Sequence, residues 1–282
     1  MRRALLTWTV VAGCSVAFAH PESKEPDAKG IVRESIHNYL RDWRAGRNTW
    51  TYTQKDITES DGKRDVEVSE VIPLDGTPYE RLISKNGKPL SEEERRKEER
   101  KYEHALHQRE KETPAERRER IAKYEREREF VKDIPEAYDF KLCGEENVEG
   151  RPAWIITMTP RTGFVPTTPH GALLSHIEGK LWIDKEDLQW AKAEAHVSDT
   201  ISIGWILARV GPGTRFTVEQ TRVENGLWMP KRITISGAAH IMLVHTKAIN
   251  EELLYSGYRK DSGVSAEKRS SSARPSGSES FR

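Results

Sequence analysis

The sequence predicts a mainly β protein with helices (α+β), built on a curled antiparallel sheet or incomplete β-barrel of about eleven strands. Three observations predict it. Much of the chain alternates apolar and polar residues with period two, interrupted by Asp61-Gly62, Asp75-Gly76, Asn86-Gly87 and Asn225-Gly226, dipeptides that favour tight hairpin turns. The strand candidates follow one another without the helical crossovers that parallel neighbours would need, so they pair antiparallel. Helical periodicity is confined to 31–45 and to a charge-dense insert at 91–133.

In chain order, Arg2 and Arg3 precede an apolar run from Ala4 to Phe18, and Ala17-Phe18-Ala19 places small residues where a signal peptidase reads them. Residues 1–19 are expected to be a cleaved export signal, followed by a polar tether at 20–30. The run is shorter than the roughly 20 apolar residues of a membrane-spanning helix, and no second run of that length follows. Val11-Ala12-Gly13-Cys14 offers an alternative with the form of a lipobox, in which Cys14 would be lipidated and the product would be an outer-membrane lipoprotein. Against it, the apolar run continues through Ser15-Val16-Ala17-Phe18. Either route takes the protein out of the cytoplasm, the first to a periplasm.

Ile31, Val32, Ile36, Tyr39, Leu40 and Trp43 recur at helical spacing, so 31–45 is an amphipathic helix ended by Gly46. Strands follow at 50–57, 64–69 and 79–84. In the insert, Ser91-x-x-Glu94 and Thr113-Pro114-x-Glu116 are capping boxes that start helices near 92–111 and 114–132. Their apolar faces are thin: Tyr102, Ala105 and Leu106 on the first, Ile121, Tyr124 and Val131 on the second. They read as a solvated helical hairpin or as a mobile lid whose contacts are Tyr102, Leu106, Ile121 and Tyr124. Strands resume at 137–143, 151–160, 177–184, 190–199, 201–210, 215–224, 227–237, 241–249 and 253–260. The Ser-rich end, 261–282, has the composition of a disordered tail.

Composition narrows the function classes. The chain has 46 basic and 45 acidic residues, a net charge of +1, with 14 of each sign falling in 91–133. A balanced surface does not suit nucleic acid, whose binders carry one-sided basic charge. Cys143 stands alone once Cys14 is removed, which leaves no intramolecular disulfide and places the burden of stability on a large core. No nucleophile elbow, phosphate-binding glycine loop or His-Glu-x-x-His motif is present, so no catalytic residue, metal or cofactor is assigned. His104 and His107 lie three apart on a polar helix, without a third ligand to make them a metal site.

The alternating strands offer large apolar side chains to one face: Trp154, Ile156, Trp182, Ile201, Ile203, Trp205, Leu207, Phe216 and Val218. Either they form a core filled by the first helix, or the sheet is wider than one helix can plug and they line a hollow for a lipid-like ligand. Faces stay open at this point, because a slip of one residue inverts every assignment.

Two stretches resemble a known family. Gly179-Lys180-Leu181-Trp182-Ile183-Asp184-Lys185-Glu186-Asp187-Leu188-Gln189 is similar to the strand-turn ending in Trp-Ile-Asp of the LolA/LolB-like superfamily of lipoprotein-sorting carriers. Glu224-Asn225-Gly226-Leu227-Trp228-Met229-Pro230-Lys231-Arg232-Ile233 resembles its Gly-Leu-Trp-x-Pro-x-x-Ile segment. Element order extends the likeness over 31–260, with 91–133 and the Ser-rich tail as departures. The resemblance implies an incomplete barrel with helices across its mouth. It also implies a lipid or lipoprotein acyl chain as cargo, no chemistry, and an envelope acceptor protein as partner. A periplasmic sensing or partner-binding module built on the charged hairpin is the competing expectation, with an envelope hydrolase as a third.

Overall fold

The computed structural model describes residues 26–60, 62–203, 208–241 and 245–260. Helix α1 (Ala28–Gly46) leads into strands β1 (Trp50–Ser60), β2 (Lys63–Leu74), β3 (Thr77–Lys85) and β4 (Lys88–Pro89). Helices α2 (Glu92–Lys111) and α3 (Pro114–Arg126) form the insert, and a 3-10 turn (Glu129–Asp133) and α4 (Ile134–Ala137) return the chain to the sheet. Strands β5 (Tyr138–Val148) and β6 (Arg151–Pro160) follow. After a second 3-10 turn (Gly171–His176) come β7 (Ile177–Asp184), β8 (Trp190–Val197), β9 (Ile201–Ile203), β10 (Ala208–Val210), β11 (Arg215–Arg222), β12 (Trp228–Ile241) and β13 (His245–Lys260).

Among the described residues, eleven strands form one open antiparallel path, β4-β3-β2-β1-β13-β12-β11-β8-β7-β6-β5, and β10 and β9 extend from the far end of β12. The last strand thus joins the N-terminal hairpins to the later meander. The expected sheet is present and does not close into a barrel.

Several strands run longer than the sequence reading, and three other differences have a physical reason. Residues 241–249 and 253–260 belong largely to one strand, β13, because Glu252 is not a turn residue but accepts a hydrogen bond from Arg232 Nε on β12 at 2.7 Å. Residues 201–210 contain two short strands that pair with each other, Val210 opposite Ile201. Helix α3 ends at Arg126 rather than near 132, and Val131, Ile134 and Ala137 then turn into the main core. Burial of those three side chains outweighs the few tenths of a kcal/mol per ion pair that would favour continuing the helix.

That core lies between α1 and one half of the sheet. Val32, Ile36 and Leu40, spaced at four residues, meet Tyr138, Ile156, Met158, Leu181 and Ile183. Truncating such a side chain to alanine costs about 2–5 kcal/mol. Close approach is built in at Gly179, where a Cβ would fall 2.0 Å from the Glu194 carbonyl oxygen on β8. At Gly46 a Cβ would strike the Met229 thioether at 2.5 Å, so the end of α1 sits directly on β12.

Candidate functional site

Register fixes which side chains share the inner face. Leu142, Ile156, Leu181, Ala193, Val218, Ile233 and Leu253 are successive cross-strand partners from β5 to β13. Helix α1 covers the β5–β8 half of this row and leaves the rest open. The ring of Tyr39 packs on Trp190, centroids 4.4 Å apart, and marks the border between filled core and open sheet. Beyond it lies a hollow of about 350 Å³ lined by Tyr39, Trp43, Tyr52, Val71, Pro78, Tyr124, Val218, Trp228, Met229, Pro230, Ile233 and Tyr255, with Arg47, Gln54, Glu80, Arg128 and Gln220 as its polar members. This size falls within the range of small-ligand pockets.

The two stretches that resemble the sorting superfamily meet beside this hollow, in a polar knot that holds α1 to the sheet. Asp184 accepts two bonds from Arg151 (2.6 and 2.8 Å) and the backbone N–H groups of Glu186 (3.0 Å) and Asp187 (2.7 Å). Burial pushes the Asp184 carboxyl up, but Arg151 and the backbone donors outweigh it and hold it below the usual carboxylate range. Asp187 in turn accepts from Trp228 Nε1 and Arg222 Nε, both at 2.9 Å. Asp42 of α1 completes the knot by accepting from Gln189 Nε2 (2.8 Å) and the Trp228 backbone N–H (3.1 Å). These motifs are therefore structural in this chain: they place Tyr39 and Trp43 along one wall and Trp228 and Met229 along the next.

Helix α3 roofs the hollow. Tyr124 stacks on Trp43 with centroids 5.4 Å apart and planes at 21°. Arg128 lies 4.9 Å from the Trp43 ring and 5.3 Å from Tyr124, while Arg47 lies 5.3 Å from Trp43 and bridges to Glu125 at 2.7 Å. The middle of α3 is pinned by Arg120, which donates to both Glu112 oxygens (2.6 Å each), Thr77 Oγ1 (2.9 Å) and the Asp75 carbonyl (3.0 Å).

Burial sets the titration of the lining. It raises the Tyr39, Tyr52 and Tyr124 phenols, and pushes Tyr255 up to about 12. It also raises the carboxyls of Glu80, Asp56 and Glu251 at the polar end of the inner face, where Gln54 donates to Glu80 at 3.0 Å. Among the described residues no group of three His, Cys, Asp or Glu side chains could hold a metal, and no helix is long and apolar enough to cross a membrane.

The residues expected from sequence distribute unevenly. Val218 lines the hollow and Tyr124 its roof. Phe216 shares their face one row along, opposite Ile235. Ile156 and Trp154 are on the inner face but belong to the core beneath α1. Trp182 is a correction of face: it alternates with Leu181 and Ile183, so it lies on the opposite side, where its Nε1 donates to Glu146 at 2.7 Å. Ile201 is buried on β9, away from the main path, and Ile203 ends the same strand; Trp205 and Leu207 lie outside the described residues, as do Cys14, the export segment and the tail. Tyr102 and Leu106 pack with Ile72, Leu74 and Tyr79, which alternate with the hollow-facing residues of β2 and β3 and so occupy the other face. Ile121 sits against the turn at Gly76. Sequence reading missed Tyr39, Trp43, Tyr52, Trp228, Met229, Ile233 and Tyr255. The spacing of Tyr39 and Trp43 by one helical turn was the available signal for an aromatic edge on α1.

No family model and no curated protein matches the chain. Solved structures similar to it include a LolA superfamily protein from Nitrosomonas europaea, 12% identical over 82% of this chain and 92% of the other, TM-score 0.32. A DUF1329 family protein from Desulfovibrio piger is 12% identical over 84% and 95%, TM-score 0.32. A chain of the MucA/MucB complex of Pseudomonas aeruginosa is 12% identical over 84% and 96%, TM-score 0.25. The first belongs to the superfamily that the two sequence motifs resemble. At these identities and TM-scores none of the likenesses bears on the hollow or on what fills it.

Proposed function

We propose that the protein is an exported, non-catalytic carrier that holds the acyl chain of a lipid or lipoprotein in the hollow beneath α3. The observation that carries this reading is the mismatch between sheet and helix. The apolar face of α1 packs on the β5–β8 half of the inner face, its C-terminal end meets β12 at Trp228 and Met229, and beyond it lies an aromatic-lined space of about 350 Å³ under a separate roof. Each buried methylene is worth about 0.8 kcal/mol, so ten of them supply roughly 8 kcal/mol before ordering costs. After those costs the dissociation constant is weaker than the micromolar value that roughly 8 kcal/mol alone would give. Cargo would pass to an acceptor by the difference in affinity between the two sites.

The test is uptake of a fluorescent fatty acid by the mature protein and by Val218→Trp, which occupies the hollow from its floor. Uptake by the parent and at least tenfold weaker binding by the variant support the reading; equal binding by both contradicts it.

A second reading rests on α2. Of its 20 residues only Glu98 and Tyr102 are buried, so it presents a long charged surface to solvent. In that reading α2 is where a partner protein docks, and deleting it abolishes partner capture while leaving acyl-chain affinity intact.

A further inference from the structure

The roof of the hollow holds a cation without an anion. Arg128 is flanked in sequence by Glu125, Glu127 and Glu129, yet among the described residues no carboxylate lies within ion-pair distance of its guanidinium. Glu125 is turned to Arg47 and Glu129 to Lys132, at 2.7 and 2.8 Å. Arg128 instead lies against the rings of Trp43 and Tyr124. Three other arginines of the insert are paired, Arg109 and Arg120 to Glu112 and Arg117 to Asp75.

Arg47, on the other side of this mouth, has a side chain only 10% exposed, and its Nε makes no hydrogen bond. The one carboxylate in the lining, Glu80, is tied to Gln54. Arg128 is half-buried against aromatic rings, and a charge-assisted hydrogen bond to an oxyanion is the strongest completion open to it.

Resting on the proposal that the hollow takes an acyl chain, we infer that its cargo is an amphiphile with an oxyanion head, carboxylate or phosphate, held by Arg128 with the free Nε of Arg47 beside it. The chain lies along Val218, Ile233 and Tyr255, and the head sits at Arg128, beside the stacked Trp43–Tyr124 pair. Neutral and cationic amphiphiles of the same length are discriminated against, because they leave Arg128 unpaired or repel it.

The test is calorimetric titration of the mature protein with laurate, dodecyl phosphate and dodecanol, repeated with Arg128→Gln and Arg128→Lys, after near-UV circular dichroism has established that both variants fold. At least one of the two anions should bind tenfold or more tightly than dodecanol, and which one does so identifies the head group. Arg128→Gln should abolish that advantage by weakening the anion tenfold or more relative to dodecanol, while Arg128→Lys should keep part of it. Equal binding of anionic and neutral ligands by the parent overturns the oxyanion site but leaves the hollow standing, as does an advantage that survives in Arg128→Gln. If none of the three binds, the hollow as an acyl site is itself refuted.

Discussion

Replacing Asp42 by alanine should destabilise the protein and disturb the hollow together. The Asp42 side chain is almost fully buried and accepts from two buried donors, Gln189 Nε2 at 2.8 Å and the Trp228 backbone N–H at 3.1 Å. Its third donor, Arg41 Nε at 2.8 Å, belongs to a side chain that is largely exposed and can return to water. Each buried donor left without a partner costs about 1–3 kcal/mol, so Asp42→Ala should cost about 2–6 kcal/mol. For a chain of this size each kcal/mol lowers Tm by about 2–4 °C, which predicts a fall of roughly 5–20 °C. Asp42→Asn, with its amide oxygen in the Oδ2 position that accepts both buried bonds, should lose much less. The assay is thermal unfolding by circular dichroism at pH 7, with fluorescent fatty-acid uptake measured on the same samples below Tm. A fall of less than about 2 °C in Asp42→Ala would refute the view that the two sequence motifs act by anchoring α1.

Three further outcomes are expected. Trp43→Ala and Tyr124→Ala should each speed ligand release about tenfold, as stopped-flow displacement would report, because the stacked pair closes the roof and aromatic pairs contribute about 0.5–1.5 kcal/mol beyond area burial. Glu80→Gln should be more stable than the parent at pH 8 and equal to it at pH 3. Burial raises the folded-state pKa of Glu80 above its ordinary 4.5, so the folded state binds the extra proton and the parent loses stability as pH rises through that window. Replacing 91–126 by a short Gly-Ser linker should leave a cooperatively folded protein by calorimetry, whereas extending the deletion to 133 should abolish folding. The longer cut removes Val131 from the core, and it removes Asp133, which accepts from the side chains and backbone N–H groups of both Thr167 and Thr168.

Local patterning made the sheet legible because turns and alternation are short-range. Arg151–Pro160 and Ile177–Asp184 were readable to the residue, and both capping boxes form, with Ser91 and Glu94, and Thr113 and Glu116, bonded reciprocally. The hollow was less legible because it depends on registers between strands far apart in sequence. Tyr52 and Tyr255 come together only because β13 inserts between β1 and β12, and no local signal announces that pairing. Trp182 was misplaced for the same reason: an indole between two aliphatic residues looks like core from either face, and only the partners of Leu181 decide which side is inward. Asp42 and Gln189 were invisible as a pair, since they lie 147 residues apart and one buried hydrogen bond leaves no trace in composition.

The central claim is that the uncovered half of the sheet holds an acyl chain, and mass spectrometry of organic extracts from mature protein purified without detergent tests it most directly. The account predicts an acyl lipid near one per protein, lost in Val218→Trp. A protein that yields no lipid and also fails to take up a fluorescent fatty acid would contradict it, and the charged surface of α2 would then become the place to look for function.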